Sequence, residues 1–281
     1  MPRVYTFASI DSLFSREPSK IMRDILDVVR NIALSDLGIL IVGEEGTEKN
    51  WLATTIHEMS GRSREKIVFV DCSAHSAARV EQLLFGCEEY EADGVRITRG
   101  LLEEISNGTL VIENLSALDQ KVRERLLKVV EHRHYHRIGG NTGIHSNVRM
   151  ISTMTVAVPR QDAGAFAGRE VHRGLSPIVI NLPPLRKRPE DILFLIEKWI
   201  RETSDDTQKK WTGITSGALQ RCMAYDWPGN ASELREAIRH ALSNASDKFI
   251  KTSDLPEFLR VRGRIVKTED HSLRQKAGQI Q

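Results

Sequence analysis

A short apolar run, Ile39-Leu40-Ile41-Val42, ends at Gly43-Glu44-Glu45-Gly46-Thr47-Glu48-Lys49-Asn50, and a helix-like segment from Trp51 to Met59 follows. Strand, glycine loop, lysine and helix in that order form a cradle for phosphate. The glycines let backbone N–H groups approach the anion, Lys49 reaches its outer oxygens, and the helix N-terminus adds a positive dipole. Two positions depart from the pattern G-x-x-x-x-G-K-[ST]: Glu48 stands where glycine is wanted and Asn50 where a hydroxyl is wanted. Glu48 would bring a Cβ and a negative charge beside a triphosphate. At about 4 to 6 Å and an effective dielectric near 20, each like-charge pair costs roughly 3 to 4 kcal/mol before screening. That is about two orders of magnitude in affinity. The expectation is a weak nucleotide site built from Gly43, Glu44, Gly46, Thr47, Glu48, Lys49 and Asn50.

The segments around this loop alternate between strand and helix. Ile21, Ile25, Val28, Val29 and Ile32 recur at helical spacing ahead of the first strand. Ile67-Val68-Phe69-Val70, Leu110-Val111-Ile112, Val148 to Thr153 and Ile178 to Leu182 read as four further buried strands. Helical segments at Val80 to Leu84 and Lys121 to His132 lie between them, the signature of a parallel sheet flanked by helices. Pro183-Pro184 ends this pattern, since that dipeptide neither continues a helix nor sits in a central strand. Beyond it only helices are predicted: Glu190 to Thr203, Ser216 to Tyr225, Ala231 to Ser246 and a short one near Ser253 to Arg260. The expected organisation is an extension over 1–16, an α/β nucleotide-binding domain over 17–184, a small all-α lid over 185–260 and a flexible basic tail over 261–281.

Composition excludes several classes. Forty Lys+Arg against 38 Asp+Glu give a formal charge of +2, so no single-sign field defines the molecule. Cys72, Cys87 and Cys222 are too widely spaced for a metal knot and read as buried thiols of a cytoplasmic protein. His132, His134 and His136 straddle a helix end and lack the i, i+4 spacing of paired ligands, so no metal is expected there. No run approaches the length of a membrane span, and the first residues lack a signal peptide's apolar core.

Taken in order, several segments carry a resemblance: Gly43 to Lys49, Leu83-Leu84-Phe85-Gly86, Gly108-Thr109-Leu110-Val111-Ile112, Arg137-Ile138-Gly139-Gly140, Leu182 to Ile192, Trp227-Pro228-Gly229-Asn230 and Asp254-Leu255-Pro256. From about Pro18 to Arg260 the chain resembles the central domain of bacterial sigma-54 (enhancer-dependent) transcription activators, a P-loop NTPase of the AAA+ class. The resemblance implies ATP or ADP with Mg²⁺ as ligands, a ring of activator subunits, and RNA polymerase with its sigma factor as partner. Position 113 would orient the metal and position 114 would polarise the attacking water. Here they are Glu113, which keeps the charge, and Asn114, which cannot accept a proton. Thr155 takes the sensing position after the fourth strand, and Ser232 replaces the arginine expected in the lid, with Arg235 one helical turn away. Arg169 and Arg173 lie where arginine fingers are expected.

The acidic stretch Cys87 to Gly94 stands in place of the Gly-Ala-Phe-Thr-Gly-Ala loop that touches the sigma factor, and its charges are expected to face water. Segments 1–16 and 261–281 are too short for a receiver or a helix-turn-helix, so DNA contact is expected to come from a partner. Two functions follow: a regulatory or binding module with impaired hydrolysis, or an active ATPase that remodels sigma-54 holoenzyme.

Overall fold

The computed structural model describes residues 4–6, 18–156, 172–206 and 211–260. After β1 (Val4–Thr6), the first layer runs α1 (Lys20–Ala33), β2 (Ile39–Gly43), α2 (Lys49–Glu58) and β3 (Ile67–Asp71). There follow α3 (Ala77–Phe85), a hairpin of β4 (Cys87–Glu91) and β5 (Gly94–Thr98), α4 (Leu101–Glu104), β6 (Thr109–Glu113) and α5 (Gln120–His132). Short β7 (His134–Tyr135) and β8 (Ile144–His145), then β9 (Arg149–Thr155), α6 (His172–Leu175) and β10 (Ile178–Leu182), complete the α/β part. The lid contains α7 (Glu190–Asp206), β11 (Gly213–Thr215), α8 (Ser216–Met223), α9 (Asn230–Asn244), β12 (Phe249–Ile250) and α10 (Glu257–Arg260).

Five strands form one parallel sheet in the order β10-β2-β9-β6-β3. All five residues of β2 are buried, because helices cover both faces and a central parallel strand has no wet side. Ile39 and Ile41 pack with Met22 and Val29 of α1 and Leu52 and Ile56 of α2. Leu40 and Val42 point the other way, toward Leu84, Leu126 and Leu110. Parallel pairing brings the carboxyl ends of all strands to one edge, where Gly43 is in register with Thr155 and Asp71 with Glu113. Open α/β sheets bind ligands at that edge.

The start of α1 also ties the two layers together. Ser19 Oγ accepts from Met22 N at 3.3 Å, and the Ser19 N–H donates to the buried Asp191 carboxylate of α7 at 2.6 Å. Ser19→Ala is expected to cost about 1 to 2 kcal/mol, as lost cap plus a less satisfied carboxylate, read as a lower urea midpoint at unchanged slope.

The lid departs from the all-helical expectation. β1, β11 and β12 make a small three-stranded sheet, with β1 antiparallel and β12 parallel to β11. These strands have two or three residues, too few for a period to show, and they close off the lid core around Trp227. That indole is fully buried, donates its ring N–H to the Cys222 carbonyl at 2.8 Å and meets Tyr225 edge-on at 5.0 Å.

The stretch expected as a solvated acidic loop is likewise a hairpin. Glu88 is half-buried at its base and pairs with Arg137 at 2.8 Å, while Arg137 also holds Glu103 at 2.8 Å. Cross-strand pairing turns Glu88 inward, which a count of charges along the chain does not reveal. Tyr90, Val95 and Ile97 are exposed on the same hairpin. Cys72, Cys87 and Cys222 are buried and free, and burial pushes the Cys222 thiol up to about 12.

Candidate nucleotide site

At the carboxyl edge of the sheet, the turn after β2 carries the glycine loop into α2. Gly46 has φ +72°, and a Cβ there would lie 2.1 Å from the Gly229 carbonyl of the lid, so both the backbone and the packing require glycine. The next unusual residue is Glu48, with φ +71°. A side chain in the left-handed region costs about 1 to 2 kcal/mol, which is the strain expected when a non-glycine occupies a turn shaped for glycine. Thr47 Oγ1 donates to the Glu44 carbonyl at 2.8 Å, and Lys49 Nζ reaches the Glu44 and Gly43 carbonyls at 2.9 and 3.3 Å. Lys49 therefore lies folded back along its own loop.

The lid closes directly on this loop. Glu44 takes a two-pronged contact from Arg186, at 2.6 and 2.8 Å, and Asn230 Nδ2 donates to the Glu45 carbonyl at 2.8 Å. The Ser232 N–H donates to the Gly46 carbonyl at 3.2 Å. Between loop, strand ends and lid lies a cavity of about 590 Å³, within the size range of small-ligand sites. Glu48, Lys49, Asn50, Glu113, Asn114, Thr155 and Ser232 all line it, together with Gly46. Gly43 and Glu44 instead border a neighbouring cavity beside Pro183 and Pro184, and Thr47 is fully buried beneath the loop.

Arg235 does not line the cavity; its guanidinium lies 3.8 Å from Glu202 and 6.0 Å from the Trp199 ring. Arg173 lies in α6, and Arg169 falls outside the described residues. The expected extension and tail, 1–16 and 261–281, also fall outside them apart from β1.

Electrostatics separates the carboxylates. Burial pushes the Glu48 carboxyl above its ordinary value, against the pull of Lys198, Arg188 and Arg235. Burial lowers Lys49, against Glu45 and Glu113. Asp71 is held below the usual carboxylate range by hydrogen bonds from Ser73 and Asn114. Asp71 and Ser73 carry no motif and become visible only once β3 is paired with β6. Asn50 Nδ2 donates to Glu113 Oε1 at 2.5 Å, so the amide stands against the acid. A magnesium ion takes one or two carboxylates and completes its shell with water and substrate phosphate. Glu113, on the cavity wall, suits that use, and the ion would neutralise phosphate charge there.

Residues 16–170 match the family model described as the sigma-54 interaction domain, and residues 186–272 match the AAA+ ATPase lid domain. Similar curated proteins include the sigma54-dependent transcriptional activator SfnR of Pseudomonas putida, 34% identical over 82% of this chain and 63% of its own length. Another is the transcriptional activator RocR of Bacillus subtilis (strain 168), 30% identical over 92% of this chain and 55% of its own length. The chain thus spans under two thirds of each of these relatives. NtrX from Brucella abortus in complex with ADP shares the fold, with a TM-score of 0.75 at 23% identity over 94% of this chain and 60% of that one. No helix among the described residues is long and apolar enough to cross a membrane. The chain belongs to the sigma-54 interaction domain family, with an AAA+ lid behind its α/β domain.

Proposed function

We propose that this chain is a transcription-regulating AAA+ protein that holds ATP or ADP with Mg²⁺ weakly, turns it over poorly and serves in the cytoplasm as a regulatory or binding module. Its partners in this reading are other activator subunits in a ring, or RNA polymerase and its sigma factor. The observation that carries the reading is Asn114. The residue meant to polarise water is an amide, and both ends of that amide are already bonded to protein: to Asp71 at 3.0 Å and to Thr155 at 3.2 Å. An amide accepts a hydrogen bond from water but does not take its proton. Glu48 and Ser232 add to this, one a carboxylate and the other a neutral group where phosphate charge must be met.

Calorimetry with ATP and Mg²⁺, beside a phosphate-release assay, tests the reading. Weak binding without release above background is expected, and Lys49→Ala should weaken that binding a further tenfold or so by removing a cation from the phosphates. Steady release abolished by Lys49→Ala would sink the proposal. It would instead favour an active ATPase remodelling sigma-54 holoenzyme, the reading that Glu113 on the cavity wall supports.

A further inference from the structure

The chain leaves α5 at Arg133, whose φ of +59° turns it at once into β7. β7 and β8 pair antiparallel, with Tyr135 opposite Ile144 and His134 opposite His145. Tyr135 is buried and Ile144 half-buried against the core, so alternation along the strands places both histidines on the outer face, where both are exposed. The Ser146 N–H donates to the Arg133 carbonyl at 2.9 Å, which holds the ladder just behind the pair. The two imidazoles meet edge-on, with ring centroids 5.1 Å apart and an interplanar angle of 77°. His134 Nδ1 lies 3.1 Å from the His132 carbonyl oxygen. A carbonyl only accepts, so Nδ1 carries the proton and Nε2 keeps its lone pair. Metal-binding histidines are commonly prepared in this way, one ring nitrogen donating to the backbone and the other left for the ion. Two imidazoles on one tetrahedral zinc ion, each bound at about 2.0 to 2.1 Å, hold their ring centroids about 5 Å apart. The observed separation fits that arrangement.

We propose that His134 and His145 form a two-histidine site for a borderline divalent metal ion, Zn²⁺ first among them, on the outer face of the hairpin of β7 and β8. The i, i+4 spacing of helical ligand pairs is not needed here, because the second ligand comes across a ladder. Imidazole pairs suit zinc and its neighbours, whereas Mg²⁺ takes oxygen ligands. Among the described residues no group of three or more His, Cys, Asp or Glu side chains could hold a metal ion, so water completes the shell, as at an open zinc site. None of these residues lines the nucleotide cavity, so the site is independent of it. The ion ties β7 to β8 and closes the loop between them. That loop carries Arg137, which holds Glu88 and Glu103 at 2.8 Å each. It also carries Ile138, whose N–H donates to the Gly86 carbonyl at 3.0 Å and whose carbonyl accepts from the Glu88 N–H at 2.8 Å. Metal on the outer face therefore steadies the base of the acidic hairpin.

Calorimetry with Zn²⁺ on the full chain, without nucleotide or Mg²⁺, tests the site. One ion per chain is expected. His134→Ala and His145→Ala should each weaken binding at least about tenfold, and the double variant should lose little more, because a lone imidazole no longer chelates. His145→Cys should keep binding within about tenfold of the parent, since a thiolate is also a zinc ligand. His132→Ala and His136→Ala should leave the affinity unchanged; the first keeps the backbone carbonyl that orients His134. Without Zn²⁺ the variants should melt with the parent, because both rings are exposed. Amide exchange at Glu88 and Ile138 should slow when Zn²⁺ is added to the parent and not to the double variant. No binding by the parent overturns the proposal, as do losses that add in the double variant or a loss on His136→Ala equal to that on His134→Ala. The two rings are then a stacked pair only. Binding at the pair without slower exchange overturns the link to the hairpin base.

Discussion

Arg186→Ala is expected to destabilise the chain by about 3 kcal/mol, at the lower end of what breaking a buried ion pair costs because Arg186 itself is partly exposed. The Glu44 carboxylate is buried, with side-chain exposure of 7%, and Arg186 supplies two of its donors at 2.6 and 2.8 Å. Among the described residues only Asn230 Nδ2, at 3.3 Å, would remain as a side-chain donor. The loss falls on the seam between glycine loop and lid, so unfolding followed in urea should begin with the lid. Glu44→Gln in the Arg186→Ala protein should recover part of the loss, since a neutral amide is cheaper to leave buried than a charge.

The same pair carries a pH signature. Hydrogen bonding to Arg186 first, and to Asn230 second, holds the Glu44 carboxyl below its ordinary value in spite of burial. A depressed acid adds stability that is complete above its unfolded value, about 4.3, and that fades as pH falls through the lower folded one. Unfolding midpoints between neutral and acid pH should therefore drop less steeply in Arg186→Ala than in the parent. Parallel pH profiles would show that Glu44 is not the group being read.

The α/β architecture was legible because its strands are buried on both faces and so read as unbroken apolar runs, β2 and β6 most clearly. The glycine loop was legible for a different reason: Gly46 is required by its positive φ and by the carbonyl 2.1 Å from where its Cβ would be. Pairings across long sequence separation were not legible. Glu44 and Arg186 are 142 residues apart, and Asp71 meets Asn114 only because β3 and β6 are in register. The short lid strands and the inward turn of Glu88 were missed on the same ground, since two or three residues carry no period and a charge count carries no direction. Where Arg235 goes was also unreadable. It sits three residues beyond Ser232, yet Glu202 of α7 lies beside its guanidinium, away from the cavity.

Glu48→Gly is expected to bind ATP about a hundredfold more tightly than the parent, because roughly 3 kcal/mol of like-charge repulsion disappears at about 5 Å and an effective dielectric near 20. It should also fold slightly more stably. At φ +71° a side chain is strained and glycine is not, and the gain is about 1 kcal/mol after glycine's extra unfolded-state entropy is subtracted. Glu48→Ala separates the two effects. It removes the charge but keeps a Cβ in the left-handed region, so affinity should rise while stability does not. Calorimetry and thermal melting on the three proteins decide between these outcomes. Equal ATP affinities in all three would mean that the Glu48 carboxylate stays with Lys198, Arg188 and Arg235 in the complex, the cations already acting on it in the structure. The loop's charge would then be a lid contact rather than a barrier to phosphate.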